Sequence, residues 1–241
     1  MAKTPDAPSK PRYHHGDLRN AFIEAAVSLV AEHGVQAFSL REAAREVGVS
    51  PAAVYRHFED KEALLAAVAA EGFGRLATAM ERAITRTPGE PGSAARAVAA
   101  FGAMGEAYVE FAVRQPARFR VMFGPWCPHQ DQAELPPEVA PLGRDPFQIL
   151  LDALDELVAA GAVPAAARPG AEVAAWSMVH GLAGLVVDGA LPLGPAERAG
   201  ATGLLCRTLL AGLGCPPALL SPAAPVEADP RPPAARKARR N

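Results

Sequence analysis

Apolar residues recur every three to four positions along most of this chain, which is the spacing of amphipathic helices. In the first predicted helix, from near Asp17 to Gly34, one face carries Leu18, Phe22, Ala25 and Leu29. Comparable runs predict further helices over residues 61–87, 94–114, 146–160, 169–187 and 195–213. No run alternates apolar and polar residues convincingly at the period of two that a half-buried strand shows. The pattern therefore predicts an all-α protein.

Helix start and stop signals are closely spaced after the first helix. Ser39 followed by Glu42 is a capping box that begins a helix, and Gly48 is a typical cap at its end. Ser50 and Pro51 then begin a third, short helix that we expect to reach His57. Two helices joined by a tight, glycine-containing turn are typical of a helix-turn-helix, whose second helix can enter the major groove of DNA.

Segments rich in proline, glycine or charge flank and separate these helices. The cluster at 88–92 breaks the chain between two helices, and the stretch 124–143 predicts a loop. Both ends are rich in proline and polar residues, which predicts disorder. We therefore expect a disordered arm over 1–15, a helix-turn-helix domain over 16–66, a helical regulatory and dimerisation domain over 67–221, and a disordered basic tail over 222–241.

Composition restricts the class of protein. The chain has 241 residues, of which 50% are hydrophobic and 21% charged, as in folded domains. Its 24 basic and 26 acidic residues nearly balance, so any surface for nucleic acid must be local. Three cysteines without metal-type spacing are typical of a reducing cytosol. We found neither a signal peptide nor the roughly 18 uninterrupted apolar residues of a membrane span, and we expect a cytoplasmic protein.

The segment Phe38–Leu65, FSLREAAREVGVSPAAVYRHFEDKEALL, resembles the DNA-binding domain of TetR family transcriptional regulators. The sequence YHHGDLR at Tyr13–Arg19 points to a subgroup of that family. The sequence WSMVHGL at Trp176–Leu182 resembles the C-terminal domain type named for Trp, His and Gly (WHG). The resemblance implies an N-terminal three-helix domain for DNA and a C-terminal helical domain for ligand binding and dimerisation.

Residue chemistry singles out candidate DNA contacts in the predicted recognition helix. Small residues at its leading edge let the backbone approach the bases, and proline and alanine carbons can contact thymine methyl groups. These residues are Ser50, Pro51, Ala52 and Ala53. The backbone N–H of Ser39, at a helix start, can face a phosphate. Arg56 can reach either a phosphate or a base, and the arm residues Lys10 and Arg12 can follow the DNA backbone or enter a minor groove.

The family resemblance adds four residues to the candidate DNA contacts. Tyr55, His57 and Lys61 match family positions that contact phosphate, and Arg41 matches a position that can reach a base edge. An arginine there can bind guanine O6 and N7 together. Many family members carry a glycine or polar residue where this chain reads Pro-Ala-Ala, so few side chains here can form hydrogen bonds with bases. Sequence specificity is therefore expected to depend on Arg41, Arg56, van der Waals fit and DNA shape. Phe58 is expected in the domain core.

Aromatic and methionine side chains of the C-terminal helices can line an apolar ligand pocket. The candidates are Phe101, Met104, Tyr108, Phe111, Phe119, Met122, Phe123, Trp126, Phe147, Trp176 and His180. Tyr108, Trp176 and His180 are the candidate polar anchors. Aromatic residues at helical spacing are more often core than ligand wall, and His180 is equally explained by helix packing.

The predicted helices 169–187 and 195–213 carry many small residues that permit close helix crossing. Examples are Gly181, Ala183, Gly184, Gly203 and Ala211. In the TetR family the corresponding helices form a four-helix dimer interface, so the resemblance implies a homodimer that matches a palindromic operator. Close packing inside one chain is the other interpretation of these residues.

Together these features predict a sequence-specific DNA-binding transcriptional regulator, a repressor released from a palindromic operator by a small apolar or amphipathic ligand. The alternative is a DNA-binding dimer without an effector, which a fully packed C-terminal core would favour. Cys127, His129 and Asp131 do not complete a tetrahedral metal set, and catalytic motifs are not apparent. Neither a metal, a cofactor nor an enzymatic activity is expected. The helix at 61–87, which joins both domains, is the expected lever between ligand and DNA.

Overall fold

The computed structural model describes residues 15–124 and 144–220. Within these ranges the chain forms nine α-helices and no strand, so the all-α prediction is confirmed. They are α1 His15–His33, α2 Leu40–Val47, α3 Pro51–Val54, α4 Lys61–Arg86, α5 Ala94–Arg114, α6 Pro116–Met122, α7 Pro146–Ala159, α8 Ala171–Val187 and α9 Pro195–Gly212. Short 3-10 helices occur at Ala165–Ala167 and Pro217–Leu219.

Several predicted features fall outside the described residues. They are the tail 222–241, residues 1–14 of the predicted arm and residues 125–143 of the predicted loop. The candidate residues among them are Lys10, Arg12, Trp126, Cys127, His129 and Asp131. The chain divides into two compact units, Met1–Val68 and Ala69–Asn241. Helices α1 to α3 belong to the first unit and α5 to α9 to the second, while α4 begins in the first and continues in the second.

Local capping fixes α2 in the first unit. The Ser39 hydroxyl accepts a hydrogen bond from the Glu42 N–H, and the Glu42 carboxylate accepts one from the Ser39 N–H, which completes the predicted capping box. The helix ends at Gly48, whose φ of 79° is left-handed. The N–H of Gly48 and that of Val49 bond back to the last turn of α2. These local signals explain why the bounds of α2 were readable from sequence.

Helix α3 is shorter than predicted, because it ends at Val54 and not at His57. The N–H groups of Arg56 and His57 bond to carbonyls only three residues back, so the chain leaves α-helical geometry there. The N–H of Phe58 also bonds to the Val54 carbonyl. Val54 and Phe58 are both buried, and they hold the short helix against the rest of the first unit.

The left-handed backbone at Gly48 gives a first prediction. Gly48→Ala should lower the free energy of unfolding by about 1–2 kcal/mol, because a Cβ is disfavoured at positive φ. The control is Gly102→Ala in the middle of α5, where a Cβ would meet no atom within 4 Å. Gly102→Ala should stabilise its helix by up to about 1 kcal/mol. Urea unfolding followed by circular dichroism measures both changes, and equal signs would contradict the prediction.

Helix α5 is the central helix of the second unit and packs against α6, α7, α8 and α9. Its buried side is mostly apolar and includes Phe101, Met104, Phe111 and the ring of Tyr108. The sequence predicted α5 with the bounds that the structure has, and Pro116 follows its end as expected. The structure adds that the Ser93 side chain caps its start by accepting a hydrogen bond from the Arg96 N–H. The apolar core of this unit lies around this helix.

Sequence periodicity did not reveal α6, which has only seven residues. Burial holds it in place: Phe119, Val121 and Met122 are all in the core. Met122 reaches α4 at Gly72, where an added Cβ would lie 2.6 Å from the methionine sulfur. A side chain at position 72 would therefore displace Met122.

Helix α4 passes a simple test for a membrane span by its length and apolar composition. Yet 61% of its most apolar 18-residue window is buried within the protein. A buried core helix gives this result without any membrane, so α4 does not change the expectation of a protein without membrane spans.

Candidate functional site

The first candidate site is the outward side of the helix-turn-helix, which we call the recognition surface. Among the predicted DNA contacts, most are exposed: Ser39, Arg41, Ser50, Pro51, Ala52, Tyr55 and Arg56. Ala53, His57 and Lys61 are half-buried. The structure thus brings the predicted residues of α2, α3 and the following turn onto the accessible surface of one small unit.

Two aromatic residues near the end of α3 have opposite environments. The Tyr55 side chain is 52% exposed, whereas Phe58 is only 3% exposed. Phe58 packs edge-on against Phe22, with ring centroids 6.3 Å apart, and the Arg19 guanidinium lies 5.2 Å from its ring centroid. Phe58 is therefore a core residue, as expected, while Tyr55 remains accessible to a partner.

Lys61 and His57 already have contacts inside the first unit. The Lys61 ammonium donates to the Gln36 carbonyl at 3.1 Å and lies 4.7 Å from the Phe38 ring centroid. The His57 ring lies 5.7 Å from that of Phe22. These contacts order both side chains beside the recognition surface, and their phosphate contacts stay a prediction.

The backbone N–H of Ser39 was predicted to face a phosphate, and the structure gives it another partner. It donates to Glu42 Oε2 at 2.8 Å, while the Ser39 hydroxyl donates to the same oxygen at 3.0 Å. These two bonds, led by that of the hydroxyl, lower the pKa of Glu42, so the carboxylate stays ionised. A phosphate can reach this N–H only by displacing Glu42.

The second candidate site is a group of tilted and edge-on aromatic rings in the C-terminal unit, which we call the aromatic cluster. Its members are Tyr108, Phe119, Phe123, Phe147, Trp176 and His180. His180 is central, since the ring centroids of Phe123, Phe119 and Trp176 lie 4.5, 5.3 and 6.1 Å from its own. Phe147 and Trp176 are 41% and 42% exposed, so the cluster opens to the surface at that side.

Polar contacts of the Tyr108 hydroxyl join α5 to α8 within the aromatic cluster. The Tyr108 hydroxyl lies 2.8 Å from His180 Nδ1. Burial raises the pKa of Tyr108, and a smaller opposing effect comes from a hydrogen bond with Trp176. Burial also lowers the pKa of His180. Both side chains are therefore neutral at pH 7, and the pair is a hydrogen bond between neutral groups.

The lowered pKa of His180 predicts how stability depends on pH. Below about pH 6.5, the ordinary pKa of histidine, the unfolded chain binds a proton that the folded protein resists. The contribution of His180 to the free energy of unfolding is thus complete above pH 6.5 and is lost as the pH falls below that value. We expect the free energy of unfolding of the wild type, minus that of His180→Gln, to decrease from pH 7.5 to pH 5. Parallel pH curves in urea unfolding would contradict this prediction.

Other predicted pocket residues have separate environments. Phe101, Met104, Phe111 and Met122 are buried among their neighbours. Trp126 lies outside the described residues. These four side chains therefore belong to the hydrophobic core. Periodicity alone could not distinguish core residues from residues that line a ligand pocket.

A cavity of about 500 Å³ lies elsewhere in the C-terminal unit. The end of α4, the loop before α5, the start of α5 and α7 line it, and Phe101 is the one predicted pocket residue in its wall. In this wall, Arg144 forms salt bridges with both Glu81 and Asp152. This cavity was not predictable from the sequence, because its charged residues come from distant segments and form no motif. Within the described ranges, no three His, Cys, Asp or Glu side chains are grouped to hold a metal ion.

Comparison with known proteins supports the assignment of both units. A family model described as "Bacterial regulatory proteins, tetR family" matches residues 22–68. A second, described as "Tetracyclin repressor-like, C-terminal domain", matches residues 101–209. This chain belongs to the TetR family. As a TetR family protein it is a DNA-binding transcriptional regulator and not an enzyme, which confirms those two predictions. The WHG subtype stays a prediction.

Solved structures share the fold of this TetR family regulator. A protein with unknown function from Rhodococcus sp. RHA1 is 31% identical with a TM-score of 0.66, and the match covers 85% of this chain and 99% of that one. A TetR family transcription regulator from Marinobacter aquaeolei VT8 is 22% identical with a TM-score of 0.57, covering 78% and 93%. SmeT in complex with triclosan is 21% identical with a TM-score of 0.54, covering 87% and 96%.

Proposed function

We propose that this protein is a homodimeric cytoplasmic repressor that leaves a palindromic operator when a small apolar or amphipathic molecule binds its C-terminal unit. The observation that carries the proposal is the exposure of candidate DNA contacts on the recognition surface. Arg41, Tyr55 and Arg56 are exposed on it, while Val54 and Phe58 anchor the same segment in the core. Exposed cations and a hydroxyl on a rigid helix-turn-helix can contact both phosphates and base edges.

The exposed faces of α8 and α9 support a homodimer. Val173, Leu185 and Leu204 are large apolar side chains left exposed there. An added Cβ at Gly181 or Gly184 would meet no atom within 4 Å, so packing inside the chain does not require these glycines. A partner helix that approaches closely does explain them. A two-fold interface would pair each face with its own copy and place two recognition surfaces on one operator.

The aromatic cluster supports an effector in the C-terminal unit. It combines apolar rings, the polar Tyr108–His180 pair and an open side, which are features of small-molecule sites. SmeT, which has the same fold, was solved with triclosan bound. For release from DNA, an effector of this chain must bind the DNA-incompetent conformation more tightly than the other. The burial of Met104 and Phe111 favours the alternative, a DNA-binding dimer without an effector.

Fluorescence anisotropy on DNA from just upstream of the gene for this protein tests DNA binding. At about 150 mM salt, specific complexes reach roughly 10⁻⁸ M or tighter, whereas non-specific ones stay near 10⁻⁴–10⁻⁶ M. Arg41→Ala should weaken binding at least ten-fold, because both half-sites lose a base contact of about 1–3 kcal/mol. The control Arg86→Ala removes the same charge at the end of α4 and should bind as the wild type does. If the protein bound the upstream DNA and a scrambled DNA equally weakly, this DNA would not contain the operator. The proposal would then stand only if unbiased selection of DNA sequences found one.

A further inference from the structure

The Tyr108–His180 hydrogen bond has a direction that the surroundings determine. Tyr108 is buried, and among the described residues its hydroxyl hydrogen has a single acceptor within reach, His180 Nδ1. If Nδ1 carried the proton and donated instead, a buried hydroxyl hydrogen would have no acceptor, which is unfavourable. The hydroxyl therefore donates and Nδ1 accepts.

This direction fixes the tautomer of His180. A neutral imidazole carries one proton, so a bare Nδ1 places it on Nε2. In the described part of the chain, Nε2 has no hydrogen-bond partner. The rings of Phe119, Phe123 and Trp176 lie around the imidazole. A single hydrogen-bond donor therefore remains in an aromatic setting that opens to the surface beside Trp176.

Three arginines on or just before the helices that carry the cluster are already paired with carboxylates. Arg118 on α6 faces Glu71, Arg120 pairs with Asp188, and Arg168 ahead of α8 holds Asp155 and Glu172. A carboxylate ligand would have to leave water without a free cation to meet it, which is costly. The cluster therefore favours a neutral ligand.

We propose that His180, held by Tyr108, donates a hydrogen bond from Nε2 to a neutral acceptor oxygen, such as a ketone or ester carbonyl, on an effector whose ring system packs against Phe119, Phe123 and Trp176. The inference rests on the proposed function, because it assumes an effector in the aromatic cluster. It restricts the chemical class of that effector to neutral, ring-bearing molecules with an acceptor oxygen.

Three probes of one shape test this class. They are 2-acetylnaphthalene, its isostere 2-isopropenylnaphthalene with CH₂ in place of the oxygen, and the anion 2-naphthoate. Dissociation constants would be measured by ligand-observed NMR titration of the full chain. The ketone should bind the wild type about three- to ten-fold more tightly than the hydrocarbon, as one net hydrogen bond allows. The anion should bind more weakly than the ketone.

The variant His180→Phe keeps a ring in place and removes the donor. Its ketone-to-hydrocarbon preference should fall to about one, while hydrocarbon binding persists and shows that the site is intact. Nitrogen-15 NMR of the wild-type imidazole, compared with Tyr108→Phe, should show a bare Nδ1 and a protonated Nε2 that shifts when the ketone is added. A protonated Nδ1, or equal wild-type affinities for ketone and hydrocarbon, would overturn the inference but leave an effector site in place. If no probe binds a protein that still binds its operator, the proposed effector function fails and this inference fails with it.

Discussion

Tyr55→Ala is expected to weaken operator binding more than a hundred-fold and to leave the fold intact, whereas Phe58→Ala is expected to destabilise the N-terminal unit strongly. The two aromatic residues are three positions apart, yet Tyr55 is exposed and Phe58 is buried. Truncation of a buried phenylalanine costs about 3–5 kcal/mol, a large share of the 5–15 kcal/mol that stabilises a typical domain. A lost hydrogen bond to a charged phosphate costs about 1.5–3 kcal/mol, and in a dimer it is lost twice.

Circular dichroism during urea unfolding and anisotropy on the operator separate the two effects. Tyr55→Ala should match the wild-type unfolding midpoint and lose affinity, and Phe58→Ala should lower the midpoint. Tyr55→Phe is the matched control, because it retains the ring and removes only the hydroxyl. If phosphate contact is the role of Tyr55, this variant should lose nearly as much affinity as Tyr55→Ala. If Tyr55→Ala bound the operator with wild-type affinity, Tyr55 would not be a DNA contact.

Helices bounded by local signals were predictable from sequence. The bounds of α2 follow from the Ser39 capping box and the left-handed Gly48, which involve only neighbouring residues. The end of α5 follows in the same way from Pro116 after it. Helix α6 was missed because seven residues show too little periodicity, and its stability comes from burial of Phe119 and Met122 against distant segments.

Features that depend on distant residues could not be predicted. Tyr108 and His180 were separate candidate anchors in the sequence, and 72 positions separate the two residues that the hydrogen bond joins. Periodicity assigned a face to each aromatic residue, but it did not separate the buried Phe111 from the half-exposed Trp176. The hydrogen bond between Ser39 and Glu42 was predictable as a capping box, yet its effect on the proposed phosphate contact became apparent only from the geometry.

Leu204→Arg is expected to convert the proposed dimer into a folded monomer and to reduce operator affinity to the non-specific range. Leu204 is 46% exposed on α9, so one chain can accommodate arginine there without rearranging its core. A two-fold interface repeats the substitution, which buries two like charges near each other, and each costs several kcal/mol. A monomer has one recognition surface, so binding should fall from about 10⁻⁸ M or tighter to about 10⁻⁴–10⁻⁶ M. Analytical ultracentrifugation and anisotropy measure the two results.

Two further variants distinguish an interface from a general effect of charge. Ala99→Arg adds the same charge at an exposed position of α5 and should leave both the dimer and operator binding unchanged. Gly181→Leu adds no charge, and the single chain has space for its Cβ. This variant should fold at least as stably as the wild type, since leucine is the better helix former. If α8 meets a partner helix closely at Gly181, the leucine must separate the two chains and the variant will sediment as a monomer. A dimer that tolerates both Leu204→Arg and Gly181→Leu would place the interface elsewhere than on α8 and α9.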